Sequence, residues 1–494
     1  MQNKEPRSRA LKGQVLLANS YFYRFDKKQW KIAEPYPPLA TITVAAYLRD
    51  RGYEIDFFDA CLAQGPAEVA PLLDKKPSYF IIYDDGFNYL TKMCLTVMRT
   101  AAFDMIREAK SQGCVVIVSS SDSTDHYELY HEKGADYVIH GEGEETLGEL
   151  LKHLEQDESI DQIAGLSRFM GGDVIKHVAR PVMHALDSLP IAAWDLIDLA
   201  AYRKIWKDHH GYFRLNIATT RGCPYKCNWC AKPIYGNRYN TRTPEHVMQE
   251  IRLLNQEHDV SHFWMCDDIF GLKPRWVQEF RDLKKSASLN FQYKIQSRVD
   301  LMLKEDNLEA LVESGLDIAW LGAESGSQRI LDAMDKGTQV EQIYEATRKL
   351  KKHRIRVAFF LQFGYLGETF QDIRKTLKMV LDLMPDDIGI SVSYPLPGTK
   401  FYDKVKNQLD TKANWTDSDD LDLMFANTYQ PVFYKTLHRY VHHRYRIKKG
   451  WLAISTIFEK PVDKFYAIAR MGYHLPLAVY RHILLRSYSR KSTA

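Results

Sequence analysis

Between Val15 and Ser393 the chain alternates short, continuously apolar runs with amphipathic helical ones, and that alternation restricts it to α/β architectures. The first series is Val15-Leu16-Leu17-Ala18-Asn19, Glu54-Ile55-Asp56-Phe57-Phe58, Tyr79-Phe80-Ile81-Ile82-Tyr83, Val115-Val116-Ile117-Val118 and Tyr137-Val138-Ile139. Runs that are apolar along most of their length are buried on both faces. This segment is therefore expected to be an open, doubly wound, Rossmann-like parallel sheet with its ligand site beyond the strands' C-terminal ends. A second series places strands at 216–220, 262–266, 291–296, 317–321, 356–363 and 388–393, with helices at 244–258, 275–286, 307–314, 340–353 and 369–384. Six βα repeats in about 180 residues are too few for an eightfold barrel and predict a partial, open (βα)6 barrel. The expected organisation is an α/β domain over residues 13–151, a linker with short strands over 152–205, the partial barrel over 206–400 and a helical, basic region over 401–494.

The loop after the first barrel strand reads Thr220-Arg221-Gly222-Cys223-Pro224-Tyr225-Lys226-Cys227-Asn228-Trp229-Cys230. Thiolate clusters select zinc or iron–sulfur. A closed zinc site wants four ligands, whereas a cubane held by three keeps one iron open to another molecule. A zinc site completed by Cys266 or His262, or simply three buried thiols, are the alternatives. The other strand ends are polar as well: Asp267 and Asp268, then Gln296-Ser297-Arg298, Gly322-Ala323-Glu324-Ser325-Gly326, Gln362 with the loop Gly364 to Thr369, and Tyr394-Pro395-Leu396-Pro397-Gly398-Thr399. A barrel presents its catalytic groups at these ends. Each residue also has a structural reading: Asp267 or Asp268 capping a turn, Arg298 pairing with Asp300 or Glu324, glycines turning strand into helix.

The cysteine spacing, with the aromatic Trp229 directly before the third cysteine, resembles the radical S-adenosylmethionine (SAM) superfamily. The resemblance implies a [4Fe–4S] cluster on Cys223, Cys227 and Cys230 whose open iron is chelated by SAM, and a 5′-deoxyadenosyl radical that attacks an unactivated C–H bond. SAM carries an ammonium, a carboxylate and a ribose diol, so its site needs carboxylates, a cation and close backbone. Trp229, Asp267, Asp268, Arg298, Gly322, Glu324, Ser325, Gln362, Tyr394 and Pro395 are the candidates. Pro35-Tyr36-Pro37-Pro38-Leu39, Gly52-Tyr53 and Gly141-Glu142-Gly143-Glu144-Glu145-Thr146 in the first domain resemble the cobalamin-binding domain of one class of that superfamily. The Asp-Asp-x-Phe, Gly-x-Glu-Ser-Gly and Tyr-Pro-Leu-Pro-Gly-Thr stretches look like the group that includes the anaerobic magnesium-protoporphyrin ester oxidative cyclase. An Asp-x-His-x-x-Gly motif does not occur in the chain, so cobalamin is expected without a histidine lower ligand; His126 reads as a surface loop residue. The resemblance further implies an electron donor such as ferredoxin or flavodoxin. It also implies either oxidative cyclisation or rearrangement, or C-methylation, of a small hydrophobic or lipid-like substrate.

With 494 residues, 45% of them hydrophobic and 26% charged, the composition is that of an ordinary globular chain. Seven cysteines, with Cys61, Cys94, Cys114 and Cys266 in apolar or helical runs, exclude a disulfide-stapled fold, and the protein is expected to be cytoplasmic. No Ser/His/Asp triad, phosphate loop or His-Glu-x-x-His helix is recognisable. A methylthio-transferring relative is disfavoured because its extra cluster needs three more clustered cysteines. The competing class is a non-catalytic metal-cluster module that binds a partner through its tail. The net charge is +4, yet residues 431–494 hold thirteen Lys and Arg against two acids. Aromatic residues interleave with these bases; the tail reads either as a solvated helical face or as the contact for an anionic partner, the inner face of a membrane touched peripherally or a polyphosphate-bearing substrate rather than nucleic acid.

Overall fold

A computed structural model describes residues 13–84, 86, 95–232, 234–409, 414–454 and 461–490. Cys94, and Phe458 of the aromatic tail, lie outside the described residues. The chain forms two compact units: Met1–Asn216 with Pro233–Gly236 and Thr416–Ser418, and Ile217–Lys232 with Asn237–Trp415 and Asp419–Ala494.

The first unit is built on seven strands, β1 (Val15–Ala18), β2 (Ile55–Phe58), β3 (Tyr79–Tyr83), β4 (Val115–Ser119), β5 (Tyr137–Ile139), β6 (Leu166–Met170) and β7 (Asp173–Lys176). Their order is β2-β1-β3-β4-β5-β6-β7, and the pairings from β2 to β5 are parallel. The 2-1-3-4-5 order is that of a doubly wound sheet, whose chain reversal sits between β1 and β3. β1, β3 and most of β4 are buried along their length, as continuous apolar runs require. β6 and β7 pair antiparallel with β5 and with each other, so part of the stretch expected as a linker extends this sheet.

The second sheet has six strands in the order β15-β14-β13-β12-β11-β8, the first five of them within the second unit. They are β8 (Arg214–Ile217), β11 (His262–Met265), β12 (Gln292–Ser297), β13 (Leu316–Glu324), β14 (Arg356–Phe363) and β15 (Asp387–Val392). Sequential neighbours pair in parallel from β11 to β15, with a helix after each of these strands, so the sheet is an open βα half-barrel with β8 and β15 at its edges. A two-stranded ribbon, β9 (Thr220–Arg221) with β10 (Asn240–Thr241), follows β8. Local chemistry sets the helix starts. Thr243 caps Pro244–His258, accepting from the His246 N–H ahead of a proline at the first turn. Thr369 and Asp372 form a reciprocal capping box at the head of Phe370–Leu383.

The tail is an antiparallel pair of helices, Pro431–Ile454 and Pro461–Arg490, in which Tyr440 meets His482 and His443 meets His474. Tyr445 anchors the first of them by donating to the carbonyls of Pro385 and Asp386 ahead of β15.

Candidate functional site

The three cysteines lie on an excursion of the chain whose neck is the β9–β10 ribbon, where Arg221 pairs with Asn240 and Thr220 with Thr241. Gly222, directly before Cys223, has φ +77°, a left-handed turn that a side chain would strain. Behind the neck, Asp267 at the end of β11 is buried and accepts from Thr219 N (2.7 Å), Thr219 Oγ1 (2.5 Å) and Thr220 N (2.9 Å). Burial pushes its carboxyl up to about 7 against those hydrogen bonds, with the neighbouring Asp268 adding to the rise. Asp267 is therefore a clamp on the strand that launches the loop, while exposed Asp268 lies close enough to Cys223 and Cys230 to raise their thiols.

Within the loop, the Cys230 N–H donates to Cys227 O, and Lys232 Nζ braces it from inside by donating to Tyr225 O and Asn237 Oδ1, both at 2.9 Å. Burial pushes the Cys230 thiol up to about 11, Lys232 opposes the rise, and the charges of Asp268, Cys227 and Cys223 add to it. The Cys230 thiol thus feels the charges of both other cysteines, although among the described residues no three His, Cys, Asp or Glu side chains are gathered closely enough to hold a metal ion as they stand. The alternative ligands fare differently. His262 sits at the opposite end of β11, its ring nitrogens engaged by Ser261 Oγ (2.9 Å) and Gln292 Oε1 (3.1 Å). Cys266 is buried behind the strand end.

Asn228 pins the loop to the turn after the helix Gln328–Ala333. Its N–H donates to Met334 O (3.0 Å), its Nδ2 to Ala333 O (2.7 Å) and Asp335 Oδ2 (3.2 Å), its Oδ1 accepts from Tyr365 OH (2.8 Å), and its carbonyl accepts from Phe401 N (2.9 Å). The same turn delivers Lys336. Its ammonium, buried, donates to Glu324 Oε1 at 2.8 Å. Burial alone would depress this ammonium, but Glu324 and then the Cys227 thiol hold it above the ordinary lysine value. Glu324 has φ +55° at an irregularity in the β13–β14 pairing, and a Cβ on Gly322 would lie 2.6 Å from Lys336 Nζ. Gly322 is small because the ion pair passes over it.

Arg298 does not pair with Glu324. It holds Asp300 (3.0 Å) and the carbonyls of Lys336 and Gly337, and its guanidinium stacks 3.8 Å over the ring of Tyr225 between two of the cysteines. Ser325 is turned away from the cysteines: its hydroxyl meets Thr376 Oγ1 (3.1 Å) and accepts from Ser327 N (3.1 Å). The Tyr394 ring meets that of Trp415 at a tilt and its hydroxyl accepts from the Trp415 backbone N–H, with Pro395 buried beside it. Thr220 Oγ1, Trp229 Nε1, Gln362 Oε1 and Ser393 Oγ are buried without a hydrogen-bond partner among the described residues. Buried polar atoms are normally paired, and these four stand in the cysteine loop or at the C-terminal ends of β8, β14 and β15, which suits a polar cofactor received there.

Sequence reasoning did not single out Lys336, Asn228 or Tyr365. It also left out the function of Glu368, which is fully buried, accepts from Gly364 N (2.6 Å) and is pushed up to about 8, chiefly by burial. A carboxyl raised from 4.5 folds best when protonated. Its stability contribution is complete below pH 4.5 and is lost as the pH climbs towards 8. Glu368→Gln should therefore gain on the parent across that window by about 1 kcal/mol per pH unit and level off above it. Urea titrations at pH 4.5, 6, 7 and 8.5 read this; a constant difference would rule it out.

At the C-terminal end of the first unit's sheet, a Cβ on Gly143 would lie 2.6 Å from the Tyr83 ring and 2.9 Å from Ser119 Oγ. Ser121 Oγ there is buried without a partner among the described residues. His131 and His140 both turn inward onto Ser167 Oγ (3.0 and 2.9 Å). His126 is half-buried at the junction of two short helices, 3.8 Å from Asp122, rather than on a surface loop.

Residues 217–380 match the model of the radical SAM superfamily. An uncharacterized methyltransferase of Pyrococcus horikoshii is 28% identical over 58% of this chain and 62% of its own length, so that the chain spans under two-thirds of that relative. The anaerobic magnesium-protoporphyrin IX monomethyl ester cyclase of Synechocystis is 25% identical over 81% of this chain and 79% of its own. Among solved structures, the cobalamin-dependent radical SAM enzyme OxsB, with aqua-cobalamin and SAM bound, superposes with a TM-score of 0.74 at 18% identity, covering 96% of this chain and 72% of its own, a likeness of fold. Residues 217–380 of the chain thus carry a radical SAM domain, a domain that implies a [4Fe–4S] cluster and SAM.

Proposed function

We propose that Cys223, Cys227 and Cys230 hold the [4Fe–4S] cluster, that SAM is received at the C-terminal strand ends of the second unit, and that cobalamin binds at those of the first. On this reading the enzyme modifies an unactivated carbon of a hydrophobic substrate, by C-methylation or by oxidative ring formation. The observation that carries it is the three-cysteine loop, clamped by Asp267 and Asn228, beside orphaned polar atoms at the strand ends. When bound, cluster and SAM supply a 5′-deoxyadenosyl radical; the protein's work is to position and to exclude water.

Asp267 and Asn228 fix the two flanks of the loop. The Glu324–Lys336 pair sets a buried carboxylate and a buried cation beside Cys227, matched to the ammonium and carboxylate of SAM. Gln362 offers its free carbonyl oxygen, and Trp229 its indole N–H, to the polar groups of the nucleoside. Asp268 can accept from a ribose hydroxyl, whereas Arg298 and Ser325 act by shaping the wall. Cobalamin is supported by the OxsB-like fold, methyl transfer by the methyltransferase relative, and a flat apolar substrate such as a tetrapyrrole by the cyclase. A ferredoxin or flavodoxin would supply the electron. The basic tail would bring the protein to the inner face of the membrane, where a lipid-like substrate dissolves.

Anaerobically reconstituted protein, reduced with dithionite and given SAM, should form 5′-deoxyadenosine and carry about one cobalamin per chain, in line with a cofactor bound at one site. Deoxyadenosine without cobalamin would leave a cobalamin-independent radical enzyme. A colourless, zinc-loaded, inactive protein would overturn the reading.

A further inference from the structure

The helix Pro461–Arg490 buries one side against its partner helix, through His474, Ala478 and Leu485. On its other side Tyr473, Val479, Tyr480 and Ile483 are 54–67% exposed, with exposed Pro476 among them. These positions recur every three or four residues and form one stripe. Exposed Arg470 and Arg486 continue the same spacing at its two ends. Between Lys464 and Ala494 the sequence contains six Lys and Arg and neither Asp nor Glu. No helix among the described residues is long and apolar enough to cross a membrane.

An apolar, tyrosine-rich stripe bracketed by arginines and free of acids has the make-up of a helix lying in a bilayer interface. Its side chains sink to the headgroup boundary, tyrosine hydroxyls stay wet, and the arginines meet lipid phosphates. A second copy of the chain would bring like charge against like charge, and an acidic protein alone would not account for aliphatic Val479 and Ile483 beside the tyrosines. We propose that this face docks on an anionic lipid bilayer, with the helix parallel to the surface. The proposal deepens the reading of a hydrophobic substrate and rests on it for what docking achieves: extraction of that substrate from the bilayer to which the enzyme is bound.

Full-length protein is mixed with vesicles of phosphatidylglycerol and phosphatidylcholine, or of phosphatidylcholine alone, and sedimented. Binding to the anionic vesicles is expected, weakening as salt is raised. Arg470→Glu with Arg486→Glu should lower it by tenfold or more, and Tyr473→Ser with Val479→Ser and Ile483→Ser should abolish it. Circular dichroism checks that the variants, all altered at exposed positions, keep the parent's helicity and melting temperature. Equal sedimentation of parent and variants, or none by the parent, overturns the proposal. So does a concentration-dependent dimer that the triple variant loses, because the stripe would then belong to a second copy. Deoxyadenosine formation from SAM without vesicles reads the catalytic assignment separately: its absence with lipid binding intact would sink that assignment and leave the docking face standing.

Discussion

Cys227→Ala protein is expected to retain no cluster after anaerobic reconstitution and to form no 5′-deoxyadenosine, with iron and activity both at background. Two thiolates cannot hold a cubane that already leaves one iron to SAM, and among the described residues no other cysteine is placed to substitute, since Cys61, Cys114 and Cys266 are buried in strand and loop packing. Cys227 is also the cysteine whose charge Lys336 feels, so its loss leaves a buried ammonium leaning on Glu324 alone. The iron content, the visible absorption and the deoxyadenosine yield should fall together. A variant that keeps its brown colour and iron would show that another donor completes the cluster, and the assignment of the three cysteines would have to change.

Asn228→Ala should be nearly as damaging without touching a proposed ligand. The truncation removes the donors to exposed Ala333 and Asp335 and an acceptor for buried Tyr365. Each lost hydrogen bond is worth about 1 kcal/mol, and Tyr365 OH and Ala333 O stay paired with each other, so a destabilisation of about 1–3 kcal/mol is expected. Because the missing bonds join the cysteine loop to the turn that carries Lys336, the loss should fall on cluster retention more than on global unfolding. Iron per chain and its rate of release to a chelator should therefore change while the melting temperature of the iron-free protein drops by only a few degrees. Asn228→Asp tests the same pin by setting a carboxylate against Asp335. Parent-like iron retention in both variants would mean that the loop is held by Asp267 and Lys232 alone.

The fold was legible wherever burial on both faces forced a run of apolar residues. β1, β3, β4 and β14 lie within a residue or two of their expected positions for this reason. β6 and β7 were harder: Arg168, Asp173 and Lys176 give them a mixed, half-exposed character that reads as linker, and only pairing with β5 reveals them as sheet. At the site, the cysteine spacing and the polar strand ends could be read because each motif is contiguous. Asn228 could not, since its partners at Ala333 and Asp335 stand 105 and 107 residues away and include a backbone carbonyl that carries no sequence signal. Lys336 is an ordinary helix-end lysine in the sequence; only the fold sets it over Gly322. Arg298 was read as a cation for SAM or a partner of Asp300 or Glu324; its guanidinium holds Asp300 and the Lys336 and Gly337 carbonyls, while Ser325 meets Thr376 on the helix Phe370–Leu383.

The hairpin of β6 and β7 has a practical corollary. Its tip, Gly171 and Gly172, is exposed, and nothing stands within 4 Å of a side chain placed at either position. A fluorophore or short epitope inserted there would meet no core, and it would report on the melting of the first unit by a signal independent of the iron chromophore proposed for Cys223, Cys227 and Cys230. One heating experiment could then time the loss of each unit separately, where the colour of a reconstituted cluster alone would speak for only one of them.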